Sequence, residues 1–516
     1  MTGPLLRGLR REHPSAEISL MVMDSFTAAP LPPRLYDRLI AFPLEGLALT
    51  LAKSEPTWEP ALRQLRDFVR DCAPTPVDVV VNLSHTETSG LVASLVPAKK
   101  RVGFTMRANR LGAIDGPWMT YLRAAARSRE LASFHLVDLF SWTANVGRDE
   151  PGLEIEITQA NRDVAGRFLE ERGLTGRPLI AMMLGASSEA KRWPVERFAV
   201  VADALEPALG DIVLVGGPDE LVLSAAFVAT ARRPVFDVTG KTSLGEMAAL
   251  LKRCRLLVTN DTGPMHVATA AGTRVMDISL GPVSACETGP YGSGHVVVEP
   301  ELPCSPCPVG TECHHFACRF SLSAEDAAAV VRFAMDAGPA PAISGARVLQ
   351  SRRSAASGRL EFVPVASTAT VSDFVRVSAA DVWEQTLGAP KRVGPGWREG
   401  NPELASPSAG PGSLATIHTC LTEVVREAEA AVCDIGNLTK APPARRQAIA
   451  AAVQARYERI LALGEEERAV HSLVTYLRYE IGSATAGDLA SMARSQAIAY
   501  RATARRAKLL CAALNG

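Results

Sequence analysis

Residues 255–272, RLLVTNDTGPMHVATAAG, decide the fold class of this chain. RLLVT carries, after Arg255, the short apolar run LLV of the kind a strand buried on both faces requires. NDTGP then breaks the strand, and MHVATAAG resumes at helical period and closes on a glycine. Asp261 or Thr262 is placed to cap the helix, and Pro264 suits its first turn. First-turn N–H groups and the helix dipole make such a joint a ready anion site. Gly263 lets an anionic group come close to the backbone, and His266 sits within the first turn on the loop side. The plain alternative is an ordinary strand–helix joint with a capping Asp.

The same alternation extends in both directions. ISLMVMD (18–24), VDVVVNLS (77–84), PLIAMML (178–184) and DIVLV (211–215) read as strands, with RFAVVADALEPAL (197–209) and SLGEMAALLKRC (243–254) as helices between. Strand, loop, helix, strand is the pattern of doubly wound parallel sheets. It breaks near WTANVGRDEPGLEIEIT, which sets a boundary between two Rossmann-like halves, 1–152 and 153–337. Residues 338–413 turn to Pro, Gly, Ser and Ala and predict a linker or a loosely ordered segment, with LEFVPVAS as a short strand within it. Residues 414–516 are Ala-rich, helical in period, and predict a separate helical extension.

Bulk properties agree with a multidomain globular chain. At 516 residues one core is too few. Lys plus Arg equals Asp plus Glu at 55 each, so no global field argues for nucleic acid. The chain contains no apolar run long enough to span a bilayer, and arginines interrupt any signal-like core in MTGPLLRGLRREHP. Six of the ten cysteines are scattered singly, which suits a reducing compartment and a cytoplasmic address.

Two further loops join the first. LGASSEAKRWP offers the hydroxyls of Ser187 and Ser188 with the cation of Lys191 beside them, a set that suits a diphosphate. VGGPDE places Glu220 after a strand, where acidic side chains accept from ribose hydroxyls. All three loops fall at the C-terminal ends of strands in one half. None has Walker A or G-x-G-x-x-G spacing, so neither a P-loop ATPase nor a standard dehydrogenase fits.

The order LGASSEAKRWP, VLVGGPDE, LLVTNDTGPMHVATAAG and ISLGP resembles glycosyltransferase family 9, best known for ADP-heptose:lipopolysaccharide heptosyltransferases, over residues 3–335. The resemblance implies an α/β GT-B fold whose second half holds a nucleotide-sugar and whose first half holds the acceptor. It also implies metal-independent transfer with inversion. Matched by motif, Asp261, Thr262, Gly263 and His266 would line the donor diphosphate and sugar, with Ser187, Ser188 and Lys191 at the phosphates and Glu220 at the ribose. The implied reaction moves a sugar, heptose from ADP-heptose, onto an anionic glycan or lipopolysaccharide-core acceptor. A GT-B-like binding or scaffold protein without catalysis and another nucleotide-sugar enzyme of the same fold are the alternatives.

Family members open with a strand ending in a Gly-Asp pair whose Asp acts as base. MTGPLLRGLRREHP resembles the segment just after it, so the expected base lies before Met1, or is lost. Asp24 has no support from spacing as a substitute. In the first half Lys99, Lys100 and Arg101, followed by Arg107 and Arg110, make a basic edge that suits an anionic acceptor, or an ordinary solvated face. Cys304, Cys307, Cys313 and Cys318 predict either a structural zinc site or reduced thiols in a compact loop. Arg501, Arg505, Arg506 and Lys508 in the last helix suit peripheral contact with the inner membrane surface, or helix packing.

Overall fold

A computed structural model describes residues 1–51, 58–106, 112–126, 128–147, 152–308, 310–355, 357–389, 411–438, 440–483 and 488–515. Arg107 and Arg110 of the basic edge lie outside them.

The first half runs α1 (Gly3–Glu12), β1 (Ser19–Met23), β2 (Arg38–Phe42), α2 (Leu44–Leu51), α3 (Trp58–Cys72), β3 (Val77–Asn82), α4 (Glu87–Leu95), β4 (Ala98–Met106), β5 (Gly112–Asp115), α5 (Pro117–Ala125) and α6 (Leu136–Thr143). The single sheet expected here is not found among the described residues. β1 and β2 pair in parallel as one two-stranded sheet, and β3, β4 and β5 form a second. One edge of β1 and one of β3 carry no described partner strand. Phe42, Leu65, Val69, Val92 and Val96, with Met21 and Val80, nonetheless join both sheets into one core beneath α3 and α4.

The second half is regular: α7 (Gln159–Glu171), β6 (Leu179–Met183), α8 (Val195–Ala204), β7 (Asp211–Val215), α9 (Leu221–Thr230), β8 (Val235–Asp237), α10 (Leu244–Leu251), β9 (Leu256–Asn260), α11 (Gly263–Ala271), β10 (Arg274–Ile278), α12 (Ala285–Thr288), β11 (Val296–Pro300) and α13 (Ala324–Ala334). Its parallel strands stand in the order β11-β10-β9-β6-β7-β8, the doubly wound arrangement with a switch point between β6 and β9. Every residue of β6 and β9 is buried. That follows from cover on both faces: α7, α10 and α11 supply one core, and α8, α9 and α13 the other.

Residues 338–389 are not a loose linker. β12 (Ala346–Arg353) and β13 (Leu360–Pro364) extend this sheet in antiparallel pairing, and α14 (Val371–Leu387) follows behind a Thr370–Asp373 capping box. LEFVPVAS supplies β13 as expected, whereas the arginines and serines of β12 interrupt the apolar run that would have announced it. Partly buried ion pairs hold the addition: Arg347 bridges Glu299 of β11 at 2.8 Å and Asp373 of α14 at 2.9 Å.

α15 (Pro411–Leu438), α16 (Pro443–Glu466), α17 (Arg468–Ser483) and α18 (Leu489–Asn515) complete the chain. They are not a separate appendage. Their core is continuous with Trp118, Tyr121, Phe134 and Trp142 of the first half and with Trp383 of α14. Trp118 and Trp142 meet at a tilt with centroids 4.4 Å apart, and Tyr121 meets Trp383 at 5.1 Å. Arg506 points into this core rather than to solvent, bonded to Glu480 at 3.1 Å and lying over the Tyr476 ring. Among the described residues no helix is long and apolar enough to cross a membrane.

Candidate functional site

The switch point between β6 and β9 brings together the loops after both strands. Asn260, buried at the end of β9, ties them: its amide donates to the carbonyls of Leu184 and Gly185 and accepts from the Trp193 N–H at 2.9 Å. That clamp sets the loop carrying Ser187, Ser188 and Lys191 against the loop carrying Asp261, Thr262 and Gly263. Ser187 and Ser188 are exposed. Lys191 Nζ donates to Asp261 Oδ1 at 3.1 Å, and Thr288 Oγ1 of α12 donates to Asp261 Oδ2 at 3.0 Å.

Neither Asp261 nor Thr262 caps α11, contrary to the expectation. Asp261 is committed to Lys191 and Thr288, and Thr262 occupies the N-cap position without a side-chain hydrogen bond. Helix α10 makes the contrast, since Ser243 and Glu246 close a full capping box over its N-terminus. The start of α11 therefore offers N–H groups and positive dipole without a side chain laid across them. Gly263 is exposed there, and a Cβ built on it would meet no atom within 4 Å. The space suits an incoming anion.

His266 lies one turn in. Burial above all, with the Lys191 ammonium nearby, pushes its imidazole down to about 3. Its Nδ1 is buried and has no partner among the described residues. A neutral imidazole with an unused nitrogen beside Lys191 is a group that a polar ligand would satisfy.

Glu220 folds back at the end of β7, accepting from the Gly217 N–H at 2.7 Å. A Cβ on Gly185 would come within 2.4 Å of Glu220 Oε1, so glycine at 185 is what lets this carboxylate lean over the β6 loop. Asp277, at the end of β10, is wholly buried and bonded to Ser279. Burial, and then the charge of Asp261, raises its carboxyl well above the usual range, which favours its protonated form.

Residues outside the three loops complete the site, and local pattern did not reveal them. Besides Thr288, the segment around α12 reaches the first half. Arg129 Nε donates to Glu287 Oε2 at 2.7 Å, His135 Nε2 donates to the Gly289 carbonyl at 2.9 Å, and Tyr291 donates to Asp138 at 2.8 Å. His135 accepts the Val137 N–H at Nδ1, which fixes the neutral tautomer. These partners are more than 150 residues apart, so sequence spacing carries no signal for them.

The basic edge divides. Lys99 is exposed and pairs with Asp78 at 2.7 Å, and Lys100 is exposed. Arg101 instead donates to the carbonyls of Ala93 and Val96, closing the C-terminal end of α4. Asp24 starts a short turn after β1 and accepts from the Ser25 N–H. The cysteine loop packs beside the site: the Cys307 N–H donates to the Gly281 carbonyl, and Arg319 reaches Glu189 at 2.9 Å. Burial and the neighbouring thiols of Cys304, Cys318 and Cys313 raise Cys307. All four cysteines are free, and among the described residues no set of three or more His, Cys, Asp or Glu is arranged to hold a metal, so of the two readings the zinc site is not found there.

Comparison with known proteins converges on one family. Residues 68–315 match the model of glycosyltransferase family 9 (heptosyltransferase). The chain is 26% identical over 206 residues to the lipopolysaccharide core heptosyltransferase OpsX of Haemophilus influenzae, covering 39% of this chain and 56% of that protein. It is 32% identical over 155 residues to lipooligosaccharide heptosyltransferase 2 of the same organism, covering 29% of this chain and 44% of that protein. The chain thus spans about half the length of these curated relatives. A crystal structure of a family 9 glycosyl transferase from Veillonella parvula superposes with a TM-score of 0.53 at 24% identity, over 65% of this chain and 92% of that one. That likeness is one of fold.

Proposed function

Since residues 68–315 match the model of glycosyltransferase family 9 (heptosyltransferase), we propose that this chain transfers a sugar from a nucleotide-sugar, heptose from ADP-heptose, to an anionic glycan of the lipopolysaccharide-core type. The observation that carries the reading is the uncapped start of α11 at the switch point, with Gly263 open to solvent and Lys191 held beside it by Asp261.

The donor diphosphate lies across that helix start. Gly263 admits it, Lys191 and the hydroxyls of Ser187 and Ser188 contact its oxygens, and Glu220 accepts from the ribose. Asp261 has a holding role: its carboxylate fixes the ammonium, and Thr288 fixes the carboxylate. His266, neutral, donates or accepts at the sugar or phosphate without adding charge. The acceptor hydroxyl attacks the anomeric carbon from the face opposite the diphosphate, the bond from that carbon to the phosphate oxygen breaks, and the configuration inverts. Charge develops on the leaving diphosphate, where prepositioned N–H groups and Lys191 stabilise it most. Lys99 and Lys100 give the acceptor half a basic edge for an anionic partner. The acceptor hydroxyl must also lose a proton, and none of the residues assigned here is its base.

Titration of ADP, UDP and GDP by calorimetry tests the reading. ADP is expected to bind tightest, with affinity lost in Lys191→Ala, and Lys191→Ala and Asp261→Ala are expected to abolish transfer while remaining folded. Wild-type transfer rates in either variant would sink it. Nucleotide binding without transfer to any acceptor would favour the scaffold alternative.

A further inference from the structure

Helix α18 carries Arg494, Arg501, Arg505, Arg506 and Lys508 and not one Asp or Glu in its 27 residues. With Arg506 turned inward, the spacing of 494, 498, 501, 505 and 508 sets the other four cations and Ile498 along one stripe. Ile498 is 64% exposed, against the usual burial of such a side chain. Between this stripe and α15 runs an open groove of about 540 Å³, lined by Val432, Ala504 and Leu509 with Arg501, Arg505, Lys508 and Glu429 at its rim. Lys508 pairs with Glu429, whereas among the described residues Arg501 and Arg505 have no ion-pair or hydrogen-bond partner. Three cations against one anion leave the groove at net +2.

We propose that this groove and stripe dock on an anionic phospholipid surface, with headgroup phosphates at Arg501 and Arg505 and acyl-chain surface against Ile498 and the apolar groove floor. Charge complementarity and the exposed Ile498 beside the apolar groove name the occupant together, because a free phosphate would use only the rim. The geometry also gives the docking a purpose. The bundle shares one core with α5 and α6, so a membrane-bound α18 holds the first half, the acceptor half, at the same surface. The inference rests on the reading of an anionic, lipid-linked acceptor, and it assigns to the C-terminal bundle a part in reaching it.

Full-length protein is sedimented with vesicles of phosphatidylcholine alone and with vesicles enriched in phosphatidylglycerol, beside an Arg501→Gln/Arg505→Gln variant. Binding to the anionic vesicles only is expected, weakening with salt. The variant should lose about 30-fold in vesicle affinity, at ~1 kcal/mol for each cation near such a surface. Its nucleotide affinity should match wild type, since neither residue belongs to the loops assigned to the donor. Equal binding to both vesicle types, an unaffected variant, or complete displacement by inorganic phosphate would overturn the proposal. Absence of nucleotide binding in the wild type would instead strike the sugar-transfer reading and leave the vesicle result standing.

Discussion

At Gly263 a methyl group would meet no protein atom within 4 Å, so the fold has no need of glycine there. Gly263→Ala is expected to leave stability within about 0.5 kcal/mol of wild type. Nucleotide affinity should nonetheless fall at least about tenfold, because the methyl group would occupy the place assigned to a phosphate oxygen. Calorimetric titration beside a thermal melt separates the two, and an Ala variant with unchanged affinity would remove the donor from the start of α11. Gly185 is the opposite case, since its missing Cβ makes room for Glu220. That Lys191, Asp261 and Gly263 stand on loops at strand ends was legible residue by residue. Their partners were not: nothing in NDTGP announces that Asp261 will leave α11 uncapped and accept from Thr288 instead.

Helix α12 is four residues long, yet it touches both halves. Thr288 holds Asp261, and Glu287 meets Arg129 across the cleft, with side chains 13% and 10% exposed. Removing one member of such a pair strands a charge, whereas removing both does not. Arg129→Gln alone is therefore expected to melt lower than Arg129→Gln/Glu287→Gln, and to weaken nucleotide binding by loosening Thr288 from Asp261. Additive melting shifts in the double variant would show the pair to be uncoupled. At this scale the second half was readable, because strands buried on both faces show as continuous apolar runs: β6, β7 and β9 fall inside the stretches that read as strands. β13 was read, as LEFVPVAS, but β12 and α14 were not, because their stability comes from pairing with β11 and from Arg347 between Glu299 and Asp373.

The whole molecule departs furthest from the picture of two halves with a tail. Trp118, Tyr121 and Trp142, each at most 3% exposed, are buried in a core that the last four helices help to build. A chain ending at residue 389 would expose those aromatics, each worth several kcal/mol of burial. It is expected to aggregate or to bind hydrophobic dye, as read by light scattering and dye fluorescence. A soluble, monomeric product with wild-type nucleotide affinity would show the bundle to be dispensable to the fold.

Local chemistry determined, from the order of residues alone, that this chain is α/β, that its second half is doubly wound, and that Lys191, Asp261 and Gly263 belong to loops at the strand ends. Those properties depend on periodicity, caps and loop composition within a few residues, which a linear reading contains. Tertiary structure alone decided that Asn260 clamps two loops together, that α11 stays uncapped, that Arg101 closes α4 and that Arg506 turns inward. It also decided that the C-terminal helices complete the core of the first half. Each of these is a choice of partner among distant groups of similar chemistry, and such a choice is made by burial and geometry once the chain has folded.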